Sequence, residues 1–98
     1  MEKKLLAKGT GNRGSTFVLV YNDKGEFITY FEGIGETKDE TAYYQGNYFL
    51  NPKLAVKDLK KRLEKGNNKY EIDWKTPKEE ILNMDGDGLV DFFSYKKD

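Results

Sequence analysis

Residues 16–34 read TFVLVYNDKGEFITYFEGI, and this stretch decides the fold because it predicts a β-hairpin. Residues 16–22 are mostly apolar, aromatic or β-branched, which favours a strand. The Asn-Asp-Lys-Gly sequence that follows favours a tight turn with Gly25 in the left-handed conformation. Residues 26–34 then return as the partner strand.

The pattern of the returning strand leaves its orientation open. Phe27 and Phe31 alternate with Ile28 and Tyr30, so either pair is apolar enough to face a core. Side chains alternate between the two faces of a strand, and a shift of one residue exchanges the sets. The sequence therefore predicts the strand without predicting its buried face.

Outward from the hairpin, a long amphipathic helix is the clearest further prediction. Asn51 and Pro52 are a favourable cap and first residue for a helix over residues 52–65, and Gly66 is a typical stop. One face of that helix is apolar and contains Ala55, Val56, Leu59 and Leu63. We expect this face to pack across a sheet.

Shorter segments complete the prediction. Residues 37–40 have capping-box spacing and predict a short helix over about 38–45, although the aromatic residues there favour a strand equally. The other predicted segments are a strand at 3–8, a loop at 9–15, a strand at 69–74, a short helix from Pro77 to about Asn83 with Thr76 as its cap, a turn at 85–88, and a last strand or helix at 89–95. Residues 1–98 therefore predict a single α+β domain: an antiparallel sheet of about four to five strands, packed by the helix at 52–65 and one or two short helices.

The composition excludes several kinds of chemistry. The chain of 98 residues contains no cysteine and no histidine. Thiolate nucleophiles, cysteine-bound metals and imidazole acid–base catalysis are therefore absent. The sequence indicates no paired carboxylates across a groove either, so we expect a protein that is not an enzyme and needs no cofactor.

Charge and hydropathy limit the partners. The 17 basic and 17 acidic residues cancel, so the chain has no bulk attraction for nucleic acid or anionic membranes. The longest apolar run, residues 17–21, is far too short to cross a bilayer, and the first residues do not resemble a signal peptide. We expect a cytoplasmic protein that does not contact a membrane.

Tyrosines are concentrated in one segment. Tyr43, Tyr44 and Tyr48 follow one another closely, and tyrosine provides a large contact area at a low cost in side-chain entropy. We interpret them as a protein-contact surface; the alternative is that they fill the core under a loop.

A glycine-rich segment precedes the hairpin. Residues 9–14 read GTGNRG and match the G-x-G-x-x-G phosphate-binding pattern. The dinucleotide version requires a helix next, whereas a strand follows here, so we interpret the segment as a hairpin loop. Arg13 within it is a further candidate for contact with a protein partner.

A stripe of lysines lies on the polar side of the long helix. Lys53, Lys57, Lys60 and Lys61 recur at helical spacing, and each is able to neutralise a phosphate. Arginine, which suits bidentate phosphate contacts, occurs only twice in the chain. A solvated helix face is the simpler interpretation, and nucleic-acid contact through residues 53–61 is an alternative function.

Residues 83–91, NMDGDGLVD, resemble the first part of an EF-hand or dockerin-type calcium loop. That resemblance implies oxygen ligands alternating along the loop, with a glycine at the sharp turn. The implied ligands are the side chains of Asn83, Asp85, Asp87 and Asp91 and the carbonyl of Leu89. Ser94 stands where a bidentate glutamate would complete the site, so the same residues are also explained by a simple turn.

These observations favour a small, non-enzymatic binding protein whose partner is another protein. A small domain with lysine-rich composition and no cysteine would suit an accessory or inhibitor protein of a phage or mobile element, for example one that acts against host defence. A calcium-binding module and a nucleic-acid contact are the alternatives.

Overall fold

A computed structural model describes residues 3–34 and 41–84. Five strands form one antiparallel sheet in the order β4-β3-β2-β1-β5. In chain order the elements are β1 (Lys3–Gly11), β2 (Thr16–Asn22), β3 (Phe27–Ile34), β4 (Thr41–Phe49), α1 (Pro52–Glu64), β5 (Tyr70–Trp74) and α2 (Lys78–Leu82). The predicted α+β fold is confirmed.

The β2–β3 hairpin forms as predicted. Phe17 lies opposite Phe31 and Tyr21 lies opposite Phe27, and Gly25 has φ 82°. The side chain of Asn22 organises the turn, since its Oδ1 accepts hydrogen bonds from the backbone N–H groups of Lys24 and Glu26, both at 3.0 Å. A polar side chain that satisfies two backbone donors fixes the turn and with it the register of the hairpin.

Both faces of the hairpin are buried, which answers the question that the sequence left open. Leu19, Tyr21 and Phe27 belong to the larger core beneath α1. On the opposite face, a second cluster contains Val18, Val20, Ile28 and Tyr30. Continuous apolar runs rather than strict alternation are typical of strands that are buried on both sides.

The helix α1 lies across the sheet as expected. The side chain of Asn51 accepts a hydrogen bond from the backbone N–H of Lys53 at 2.8 Å, and Pro52 begins the helix. The predicted apolar face is buried, and it consists of Ala55, Val56, Leu59 and Leu63. Ile81 of α2 joins the same core, so both helices cover one face of the sheet.

The first strand is longer than predicted, because Gly9, Thr10 and Gly11 belong to β1 rather than to a loop. A β-carbon at Gly9 would lie 2.3 Å from Leu63 Cδ1, and one at Gly11 would lie 2.2 Å from Asn67 Cγ. The two glycines therefore allow the end of α1 to approach the sheet. Close packing against Leu63 and Asn67 therefore explains why residues 9 and 11 are glycines, and no bound phosphate is needed to explain them.

The prediction of a helix at residues 38–45 is wrong for its described part. Residues 41–45 belong to the strand β4, and residues 38–40 lie outside the described residues. Pairing with β3 and the strand preference of Tyr43 and Tyr44 outweigh the capping-box spacing. The strand alternative was correct.

The second helix begins differently from the prediction. Thr76 does not cap α2, whose first turn has no side-chain cap. Instead the backbone N–H groups of Lys75 and Thr76 both donate to the carbonyl of Leu6, at 2.8 and 3.1 Å, which ties the end of β5 to β1. The predicted turn at 85–88 and the last element at 89–95 lie outside the described residues.

Neither described helix has the length and apolar character that crossing a bilayer requires.

Candidate protein-contact surface

The strand β4 forms one edge of the sheet and contains all three predicted contact tyrosines. Tyr43, Tyr44 and Tyr48 are 40%, 45% and 57% exposed. Side chains that fill a core are almost fully shielded, so these rings are surface residues that retain contact with the strand beneath them.

The strand divides the tyrosines between the two faces of the sheet. Tyr43 lies opposite Glu32 and stacks on Tyr30, with 5.3 Å between the ring centroids. Tyr44 lies opposite Phe31 and packs against that ring at 6.4 Å, on the face that α1 covers. The sequence correctly suggested a cluster, but the structure brings only Tyr43 and Tyr48 together on one face.

On that face Tyr30, which lies beneath Tyr43 and Tyr48, contacts a cation. Lys3 Nζ donates to the Tyr30 hydroxyl at 3.2 Å and lies 4.9 Å from the centroid of the same ring. The hydroxyls of Tyr30 and Tyr48 are 3.3 Å apart, and this hydrogen bond is the main reason why the pKa of Tyr48 is raised above its ordinary value. Aromatic faces attract cations through their quadrupole, so Lys3 at the start of β1 stabilises the position of the Tyr30 ring.

Two leucines extend the apolar surface beyond the strand. Leu50 is 69% exposed and Leu54 is 52% exposed. With the tyrosines, they are the only large apolar side chains classed as exposed within the described part of the chain, and all five lie between residues 43 and 54. We call these five residues, Tyr43, Tyr44, Tyr48, Leu50 and Leu54, the contact border.

The sequence contained a signal for Leu54 that the helical pattern obscured. Leu54 lies on the polar side of α1, between Lys53 and Lys57, where an amphipathic helix normally exposes charge. An apolar residue in that position is buried only if a partner covers it. Leu50 precedes the helix cap and had no periodic pattern to identify it.

A shallow groove adjoins the contact border at the start of α1. Its volume is about 460 Å³. The described residues that line it come from the two helices and the segments beside them, namely Leu50, Asn51, Pro52, Lys53, Leu82, Asn83 and Met84. No pattern in the sequence indicates this groove, because it depends on how α1 and α2 pack together.

A polar network holds β4 against α1. Asp58 Oδ2 accepts hydrogen bonds from Thr29 Oγ1 at 2.6 Å and from Asn47 Nδ2 at 3.1 Å, and it also lies 3.4 Å from Arg62 Nε. Arg62 Nη2 donates to the carbonyl of Gln45 at 2.5 Å. These contacts connect β3, β4 and α1, and they fix the position of the strand that carries the tyrosines.

The network supports a strained position in β4. Gln45 has φ 53°, an unusual conformation for a residue with a side chain. It lies at an irregularity in the pairing between β3 and β4, where two residues oppose one, as in a β-bulge. Gly46 follows it, and a β-carbon there would lie 2.6 Å from Tyr30 Cε1. The bulge and the missing side chain of Gly46 therefore leave room for the ring of Tyr30 against β4.

The predicted basic stripe lies on the outer side of α1, beside Leu54. Lys53, Lys57 and Lys61 are exposed, whereas Lys60 is half-buried and faces α2. The nearby ammonium group of Lys78 lowers the pKa of Lys60 from its ordinary value. Lys78 Nζ also lies 6.0 Å from the centroid of the Trp74 ring.

Arg13 does not join the tyrosines. It lies in the turn between β1 and β2, where its backbone N–H donates to Asn67 Oδ1 at 2.9 Å. Since β2 and β3 separate β1 from β4, the Arg13 turn and the contact border lie on different parts of the sheet.

Of the implied calcium ligands, only Asn83 is described. It ends α2, and its backbone N–H donates to the carbonyl of Glu79 at 3.2 Å. Asp85, Asp87, Leu89 and Asp91 lie outside the described residues, so calcium binding stays a prediction.

The chain was compared with known proteins. No protein-family model, curated protein or solved structure matches it.

Proposed function

We propose that this protein is a non-enzymatic binding protein and that the contact border is its surface for another protein. The observation that carries the proposal is the distribution of exposed apolar side chains. Five large ones are concentrated in twelve residues of β4, the following loop and the first turn of α1. Two of them, Tyr43 and Tyr48, lie together on Tyr30 on one face of the sheet. Large apolar side chains that stay exposed together in a folded domain are typical of interaction sites.

The chemistry of the border fits a protein partner. Tyrosine combines a rigid apolar ring with a hydroxyl, so it buries area and still forms hydrogen bonds at a surface that is wet when unbound. Tyr43 and Tyr48 already rest on Tyr30, and their rings therefore lose little freedom on binding. Small size and lysine-rich composition extend the proposal to an accessory or inhibitor protein of a phage or mobile element, of the anti-defence type, which acts by covering its target in the cytoplasm.

The test uses a photo-crosslinking amino acid at position 48 and, as a matched control, at the exposed position 79 on α2. We expect position 48 to capture a partner from extract of the source organism and position 79 to capture none. The captured protein is then purified and titrated against Tyr48→Ser and Leu54→Ser. Because truncating an anchor residue at the centre of an interface costs about 2 kcal/mol or more, each variant should bind at least about tenfold more weakly.

Equal affinity of both variants and the parent protein would contradict the proposal. Glu79→Ser serves as the control that should retain full affinity. Circular dichroism of each variant establishes that the fold is intact before binding is compared.

A second candidate function is contact with nucleic acid through α1. The exposure of the lysines on that helix favours it. Within the described residues, Lys53, Lys57 and Lys61 are exposed and take part in no ion pair. Cations that lack internal partners are available to phosphates, and each contact would make binding weaken as salt is raised. The test is the double variant Lys57→Glu/Lys61→Glu on immobilised nucleic acid. If this variant is retained as strongly as the parent protein, the candidate is eliminated.

A further inference from the structure

The face of the sheet opposite the helices is buried, although the described helices do not cover it. Val18, Val20 and Ile28 lie on this second face, and each is at most 2% exposed. Both described helices pack into the larger core on the other face. Within residues 3–34 and 41–84, the apolar side chains of the second face come from β1, β2 and β3 alone. We call Val18, Val20, Ile28 and Tyr30 the second-face cluster.

Two long side chains cross the second-face cluster from β1 to β3. Lys3 contacts Tyr30, and Lys8 Nζ lies 3.0 Å from Glu32 Oε2. The stem of a lysine covers apolar surface, but holding it in one conformation costs side-chain entropy. An apolar sheet face is normally buried by a further layer of the fold. The two lysines therefore border the cluster and do not replace such a layer.

One apolar segment of the chain has no place among the described elements. Residues 89–95 read LVDFFSY, and they follow Met84, the last described residue, after the short sequence DGDG. The other residues outside the described ranges are 1–2 and 35–40, which read ME and GETKDE. Residues 89–95 are therefore the part of this chain whose chemistry matches an apolar face.

The connection from α2 leads to the correct end of the sheet. Met84 lines the groove beside Leu50, which directly follows β4, and the end of β4 pairs with the start of β3. Ile28, near the start of β3, pairs with Val20, so the second-face cluster begins at this same end. Residues 85–88 span at most about 14 Å, more than the roughly 10 Å between packed layers. The residues after them are therefore able to reach the second face.

We propose that residues 89–95 pack on the second face of the sheet and cover the second-face cluster. The sheet then lies between the helices and this segment, which accounts for the continuous apolar runs in β2 and β3. Tyr30 belongs to the cluster and also supports Tyr43 and Tyr48, so the segment would lie beside the contact border. A protein bound to these two tyrosines would have the segment as its neighbour.

This proposal goes beyond the proposed function and does not rest on it. The packing of residues 89–95 is measured on the purified chain alone, whereas the proposed function is measured with the captured partner. The failure of either one is therefore recognised separately.

The experiment is urea unfolding of the full chain and of variants in the segment. Phe92→Ala/Phe93→Ala removes both aromatic rings, whichever of them faces the sheet. It should raise the equilibrium constant for unfolding at least about tenfold, because deleting a buried aromatic ring is costly. The control Ser94→Ala/Lys96→Ala, in the same part of the chain, should change it little. The milder Phe92→Leu/Phe93→Leu should act in the same direction, and it takes the place of the alanine variant if that variant does not fold.

A double-mutant cycle tests where the rings lie. Val20→Ala is combined with the aromatic variant, and Val56→Ala, which is buried on the helix side, is the matched control. Val20→Ala should raise the unfolding constant at least about threefold less in the aromatic variant than in the parent chain, because its covering rings are already gone. Val56→Ala should have the same effect in both.

Three results would overturn the proposal. The first is that Phe92→Ala/Phe93→Ala unfolds at the same urea concentration as the parent chain. The second is that the rings couple to Val20 no more strongly than to Val56. The third is a stability of the parent chain that rises with protein concentration, since a second copy would then cover the face.

Discussion

At the scale of single residues, Gly9 shows how one missing β-carbon positions a helix. The nearest side-chain atom to an added β-carbon is Leu63 Cδ1 at 2.3 Å, and Leu63 is fully buried. A flexible side chain usually moves away from such a contact, but the surrounding core leaves Leu63 little room. Close packing between β1 and α1 therefore depends on glycine at this position.

Gly9→Ala should lower the free energy of unfolding by about 1–3 kcal/mol, the usual cost of overpacking. Urea denaturation measures the change. Thr10→Ala, at the exposed neighbouring position, is the control. The double variant Gly9→Ala/Leu63→Ala should cost less than the two single changes together, and strict additivity would show that the predicted contact is absent.

A second residue-scale prediction concerns Asn22, which is 1% exposed. Its amide also donates to Glu26 Oε1 at 2.8 Å, in addition to the two hydrogen bonds that its oxygen accepts. Asn22→Ala leaves these backbone donors without their partner. We expect a loss of about 1–3 kcal/mol in stability, measured by thermal or urea unfolding. Asp23→Ala in the exposed part of the same turn should change stability far less.

At the scale of secondary-structure elements, the carboxylate of Asp58 connects α1 to both β3 and β4. Asp58→Ala should cost about 2–3 kcal/mol, since hydrogen bonds to a charged group are stronger than neutral ones. Amide exchange in β4 should also become faster, because Arg62 loses the anion that holds it beside Gln45. Lys57→Ala, exposed on the same helix, is the control. Unchanged exchange in β4 would show that the strand does not depend on the network.

The elements that the sequence predicted well have local causes. The β2–β3 hairpin and α1 begin and end within a residue or two of the predicted positions, because Gly25, Asn51, Pro52 and Gly66 act on their own neighbours. The prediction that Thr76 caps α2 was wrong. The carbonyl of Leu6, far away in the sequence, accepts the hydrogen bonds of the backbone N–H groups that precede α2.

The candidate site was predicted only in part for the same reason. The sequence identified Tyr43, Tyr44 and Tyr48, but their division between two faces depends on pairing with β3. The exposure of Leu54 depends on how α1 lies on the sheet. Edge and interior strands cannot be distinguished by composition alone, so the position of β4 was not predictable.

At the scale of the whole molecule, tyrosine ionisation should limit stability in alkali. Burial raises the pKa of Tyr21 well above its ordinary value of 10.0, and the pKa values of Tyr48 and Tyr70 are also raised. Above pH 10 these phenols lose their protons in the unfolded chain before they do so in the folded one. Because the unfolded state then binds fewer protons, stability falls as the pH rises.

Unfolding in urea at increasing pH measures this effect. The pKa of Lys60 is lowered, so the folded state releases the ammonium proton before the unfolded state does, and this raises stability with pH instead of lowering it. Tyr21→Phe should make the fall above pH 10 shallower, whereas Tyr70→Phe, at a half-buried ring, should change the slope less. A fall of equal steepness in Tyr21→Phe would exclude Tyr21 as the cause.

The place of β1 between β2 and β5 has a consequence for synthesis on the ribosome. β1 is made before the other four described strands, and it pairs with β2 on one side and with β5 on the other. A nascent chain that has emerged only as far as Gly66 contains β2, β3, β4 and α1 but lacks the second neighbour of β1. Pairings between distant segments form late, and strand edges that wait for them invite association with other chains. The second edge of β1 is therefore covered only after Tyr70–Trp74 leaves the exit tunnel, and a pause in translation before that point would expose an edge that the finished protein covers.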